Sequence, residues 1–116
     1  MHQMKLQEKF FLLIKSGKMN IELRLWNAKR QKIKASDIIE FSHCSNLSEK
    51  FRITVTKLHL AQDFTALCSQ IDCRTAGFSS PVELAAVLAD FYPLKRQKEY
   101  GVVGIEIMLN APTMLE

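Results

Sequence analysis

The 116-residue sequence predicts an α+β fold, a small mixed β-barrel with short helices covering its ends. Three observations predict it. Two stretches, residues 20–26 and 51–60, alternate apolar and polar residues with the period of two that a half-buried strand requires. The strands are separated by hairpin-length gaps, which favours a mixed or antiparallel sheet over repeated βαβ units. The apolar run "VVGIEIML", residues 102–109, suits a final buried strand.

Residues 2–6 form a short first strand, and residues 7–16, "QEKFFLLIKS", form a helix. Leu6, just before that helix, and Phe10, Leu13 and Ile14 within it fall at helical spacing, and Gly17 stands where a left-handed cap would end it. In "NIELRLW", residues 20–26, Ile21, Leu23 and Leu25 share one face; Asn20, Glu22, Arg24 and Trp26 share the other. "AKRQKIK" is a basic connection. Residues 37–43, "DIIEFSH", read as the next strand, and "HCSNLSEK" reads as a Ser- and Asn-rich turn.

The clearest strand is residues 51–60, where Phe51, Ile53 and Val55 oppose Arg52, Thr54 and Thr56. Residues 62–70 are a short helix with Phe64, Leu67 and Cys68 inward, followed by the loop "DCRTAGFSS". Ser80 is an N-cap and Pro81 the first position of a helix that ends before Pro93. "LKRQKEYG" offers one or two further helical turns, and Gly104 permits a close approach within the last strand. One domain over residues 1–110 is expected, with residues 111–116 a flexible tail.

Charge is unevenly spread. Residues 1–57 carry twelve Lys and Arg against five Asp and Glu; residues 58–116 carry four against seven. A basic first half points to a partner with phosphates more than to a membrane or a cationic substrate. The apolar run from Phe10 to Ile14 is five residues, too short for a signal-peptide core or a membrane span. Cys44, Cys68 and Cys73 make an odd count without framework spacing, so a reduced, cytoplasmic protein is expected.

Neither those thiols nor His43 and His59 show metal-ligand spacing, and they read as buried thiols with surface histidines. There is no Gly-x-Ser-x-Gly and no phosphate-cradling glycine loop, so no metal or cofactor is implied.

The richest stretch is "SGKMNIELRLWNAKRQKIK", residues 16–34, with six Lys and Arg against one acid. Glu22 and Arg24 lie two residues apart on one strand face, ~7 Å along the chain. Their face offers donors, an acceptor, the Asn20 amide and the Trp26 ring, which together could grip a base or nucleoside. The plainer reading of the residues alone is the wet side of a strand with an exposed ion pair.

The same stretch resembles a known family. "FFLLIKSGKMNIELRLWNAKRQKIKASDIIEF" looks like the amino-terminal half of ASCH (activating signal cointegrator homology) domains, of the PUA-like superfamily. Gly17, Met19, Glu22 and Arg24 fall on the pattern Gly-x-Lys-x-x-Glu-x-Arg. Ile33, Ser36, Asp37, Ile39 and Phe41 fall on Ile-x-x-Gly-Asp-x-Ile-x-Phe. "FTAL", "GF" at 77–78 and "EYGVVGIEI" at 99–107 extend the likeness to the bacterial single-domain members.

The resemblance implies a small PUA-like barrel with a cleft beside the motif, and RNA or a nucleotide-like molecule as partner. It places Arg24 on a phosphate or base edge and Glu22 beside it. Lys18, Lys29, Arg30 and Lys32 would meet the backbone, and Asn20, Trp26 and Tyr100 are further candidates. The alternative it implies is a small hydrolase of a modified nucleoside, like the branch that cleaves the acetyl amide of N4-acetylcytidine, or a ribonuclease. Against the hydrolase stands Met19 in place of the motif lysine that is the proposed nucleophile of that branch. Its threonine falls on Glu22 and its acid near Gly77.

Overall fold

The computed structural model describes residues 1–110; the tail expected at residues 111–116 lies outside them. Five strands form one curled, half-barrel sheet: β1 (His2–Leu6), β2 (Ile21–Leu25), β3 (Ile38–His43), β4 (Asn46–Ala61) and β5 (Val102–Leu109). Their order is β1-β3-β4-β5-β2. β1 runs parallel to β3, and the other pairings are antiparallel. The helices are α1 (Glu8–Lys15), α2 (Phe64–Leu67), α3 (Pro81–Phe91) and α4 (Leu94–Tyr100), with 3-10 turns at Arg30–Lys32 and Cys73–Ala76. No helix among the described residues is long and apolar enough to cross a membrane.

The sheet has apolar cores on both faces. Inside the curl lie Met4, Leu6, Ile39, Phe41, Ile53, Val55, Val103, Ile105 and Ile107. On the other side Ile21, Leu23 and Leu25 of β2 pack with Phe64, Leu67, Leu84 and Leu88 from α2 and α3. Gly104 belongs to this second layer, where an added Cβ would lie 3.2 Å from Ile21 Cγ2.

Several expectations shift in detail. The turn expected over "HCSNLSEK" is shorter, because β4 already begins at Asn46. A register shift between Val55 and Lys57 breaks strict alternation in β4, so Leu58 rather than Lys57 faces Ile105. In α1 the innermost residues are Phe11 and Ile14, with Phe10 and Leu13 only half-buried. The helix sits where the two cores meet: Phe10 packs against both.

Local turn chemistry follows the sequence closely. Gly17 ends α1 at φ +82°. Ser80 Oγ accepts the Glu83 amide at 3.1 Å, with Pro81 first in α3. Ser36, where the family pattern has glycine, sits at φ 78°. Asp37 beside it accepts from the Lys34 amide at 2.9 Å and pairs with His2 Nε2 at 2.8 Å, tying β1 to this turn. Those contacts, His2 first, hold the Asp37 carboxyl below its ordinary value.

Candidate nucleic-acid interface

β2 is covered on both faces, and this changes the meaning of its alternation. Glu22 and Arg24 lie opposite Ile105 and Val103 of β5, which belong to the inner core. The acid and base therefore point into the half-barrel, while the leucines point outward beneath α2 and α3. The face that could have been the wet side of a strand is the interior one.

Inside, the pair is fully engaged. Glu22 Oε1 accepts the Leu23 amide at 3.0 Å, and Oε2 accepts from Arg24 Nη2 at 3.3 Å. Arg24 Nη2 also donates to the Lys5 carbonyl at 2.9 Å. That bond spans the open seam of the sheet, from one edge strand, β2, to the other, β1. Burial works against the Arg24 charge, but Glu22 first and then the Tyr92 phenol favour it, and its pKa ends above the ordinary value.

The basic connection winds tightly beside this pair. Asn27 Oδ1 accepts the Arg30 amide at 3.2 Å, and Gln31 Nε2 donates to the Trp26 carbonyl at 2.9 Å. Lys29 and Lys32 are exposed and Arg30 is half-buried. Burial first, and then repulsion from Arg24, lower the Arg30 pKa. Arg30 Nε is buried without a hydrogen-bond partner among the described residues.

Three cavities follow the seam. One, of about 220 Å³, is lined by Arg24, Asn27, Arg30, Tyr92, Pro93 and Arg96 among others. The next, about 340 Å³, shares Arg24 and Arg30 with it and adds Gln3, Lys5, Lys29 and Ser42. The last, about 360 Å³, shares Lys29 and Arg30 with its neighbour and adds His2, Lys32 and Ile33. Together they form a basic groove running from the α3–α4 junction along β1.

Sequence reasoning placed Arg24, Lys29, Arg30 and Lys32 in such a site, and all four line it. Lys18 is exposed in the turn after α1 and lines none of the three cavities. Asn20 lines a separate cavity of about 240 Å³ with His59, Gln70, Asp72 and Glu106. Trp26 packs against the inner core. Tyr100 lies on α4 with the Arg96 guanidinium 5.6 Å from its ring centre.

Asn27, Tyr92 and Arg96 were missed. The clue to Arg96 was "LKRQKEY", which holds three of the four basic residues of the acidic second half. The cysteine and histidine readings also need correction. Cys44 is exposed and Cys68 half-buried, while His43 is buried beside Phe11. Among the described residues no three His, Cys, Asp or Glu side chains converge to hold a metal ion.

Two of the three positions that the resemblance links to hydrolysis, Met19 and Gly77, meet in space, and neither side chain offers a nucleophile or an acid. Met19 is buried in the inner core. An added Cβ at Gly77 would lie 3.2 Å from its Sδ, and Gly77 has φ +91°. A side chain there would be both crowded and strained.

Known proteins share this architecture. The crystal structure of hypothetical protein PH0355 superposes with a TM-score of 0.83 at 35% identity, covering 93% of this chain and 97% of that one. The solution structure of protein PF0455 from Pyrococcus furiosus gives 0.70 at 31% identity, covering 93% and 96%. An ASCH protein from Zymomonas mobilis shares the fold at 16% identity, with a TM-score of 0.64 over 91% of this chain and 65% of its own. No curated protein matches significantly. The ASCH domain model matches residues 4–110, a span that takes in every strand but the first two residues of β1, both halves of the seam and the basic turn, and the chain belongs to the ASCH domain family.

Proposed function

We propose that the protein binds RNA or a nucleotide-like ligand in the basic groove along the seam of its half-barrel. The observation that carries this reading is the convergence of Arg24, Lys29, Arg30 and Lys32 on one continuous groove. Lys29, Arg30 and Lys32 meet backbone phosphates, and Arg24 meets a phosphate or a base edge. Glu22 has both oxygens occupied and is buried, so its part is to hold Arg24 in place rather than to touch the ligand. What weighs against the hydrolytic reading is the apolar contact of Met19 and Gly77, where a nucleophile and an acid would be needed.

Titration of a fluorescent oligoribonucleotide at several salt concentrations tests the binding. Affinity falls steeply with salt. Changing Lys29, Arg30 and Lys32 together to Ala weakens it and lowers the log–log salt slope by roughly two, at ~0.7 per single-strand phosphate contact. An unchanged slope in that variant overturns the reading.

A further inference from the structure

We propose that the cavity between the basic turn and the α3–α4 junction holds a terminal phosphomonoester, the charged end of a nucleotide or of an RNA strand. This rests on the nucleotide-binding reading and narrows it. Three arginines, Arg24, Arg30 and Arg96, line this one cavity. Only Arg24 has a carboxylate partner, Glu22; Arg30 and Arg96 form no ion pair among the described residues. Two uncompensated charges match a phosphomonoester, which carries about −1.5 to −2 at neutral pH, better than a singly charged diester. Planar guanidinium forks also suit phosphate oxygens geometrically.

The other lining groups fit the same ligand. The Tyr92 phenol lies beside Arg24 and can donate to a phosphate oxygen. Asn27 uses its carbonyl oxygen on the Arg30 amide, which leaves its NH₂ free to donate. Arg30 Nε is a buried donor without a partner, a cost that an anion close by would offset. The cavity, about 220 Å³, is several times the ~30 Å³ share of one water, so it accommodates a phosphoryl group. It is also the terminal member of the three along the seam, joined to the others only through Arg24 and Arg30, as a site for a chain end should be.

The test compares short oligouridylates bearing a 5′-phosphate, a 3′-phosphate or only hydroxyl ends, together with uridine 5′-monophosphate and uridine. A terminal phosphate is expected to tighten binding about tenfold or more. Arg96 is exposed, so Arg96→Ala leaves the core intact; it is expected to remove most of that preference. Arg74→Ala deletes one charge paired with Asp72 outside the groove and is expected to keep the preference.

Displacement of the phosphorylated oligonucleotide by the mononucleotide identifies a free nucleotide as occupant. Resistance to it identifies an RNA end. Both outcomes support the phosphate site. If hydroxyl-ended and phosphorylated oligonucleotides bind equally, RNA binding stands and the phosphate site is overturned. If no oligonucleotide binds but the monophosphate does, and uridine does not, the site stands and the RNA reading falls.

Discussion

Glu22 reaches back to the Leu23 amide and across to Arg24, so both carboxylate oxygens are used inside the sheet. A buried charge tolerates this position only while its partner stays. Arg24→Ala therefore destabilises the fold by about 3–5 kcal/mol in urea unfolding, because the carboxylate is left uncompensated. Replacing both residues by apolar side chains of similar size, Glu22→Leu with Arg24→Met, recovers most of that loss. A loss below about 1 kcal/mol for Arg24→Ala, the range of an exposed pair, would show that the pair is not held in the interior. Binding effects of Arg24 variants have to be read beside this cost, whereas exposed Lys29, Lys32 and Arg96 are free of it.

Helix α3 joins the outer core to the cavity at the α3–α4 junction. Leu84 and Leu88 cover β2, and its far end leads into Tyr92 and Pro93 on the cavity wall. Its start is fixed by Ser80, by Pro81, and by Glu83 Oε2 accepting the Ser79 amide at 2.9 Å. Ser80→Ala removes the acceptor of the Glu83 amide and costs about 1 kcal/mol, read as a lower urea midpoint with an unchanged slope. Ser80→Asp, which keeps an acceptor, should leave the midpoint nearly unmoved.

Such caps were legible in the sequence because they depend on neighbours three residues apart. The orientation of α1 was not. Spacing marked Phe10 and Leu13, yet Phe11 is the innermost residue, because the helix touches two cores and its apolar arc is wider than one stripe. β2 shows the same limit. Alternation correctly separated Glu22 and Arg24 from the leucines, but it carries no information about which face is covered, and here both are.

At the scale of the molecule, the deciding feature is the seam between β1 and β2, the two edges of one sheet. A motif spanning Gly17 to Arg24 could single out Arg24 as a candidate. It could not show that Arg24 bonds to Lys5 across that seam, or that Arg96 arrives from α4 to complete a cavity. Both are products of long-range topology. The seam also predicts how a ligand alters dynamics. β1 pairs only with β3, so its amides lack the two-sided protection of β4 and β5. The groove is lined by β1 on one side and by Arg24 and the basic turn on the other, so a bound ligand bridges the edges. Hydrogen exchange followed with and without a 5′-phosphorylated oligouridylate should therefore slow in His2–Leu6 and residues 26–34, with little change in α2. The Arg96→Ala variant should reduce that protection. Protection confined to the separate cavity around Asn20, His59 and Asp72 would put the ligand on the other face of the sheet and exclude the seam as its site.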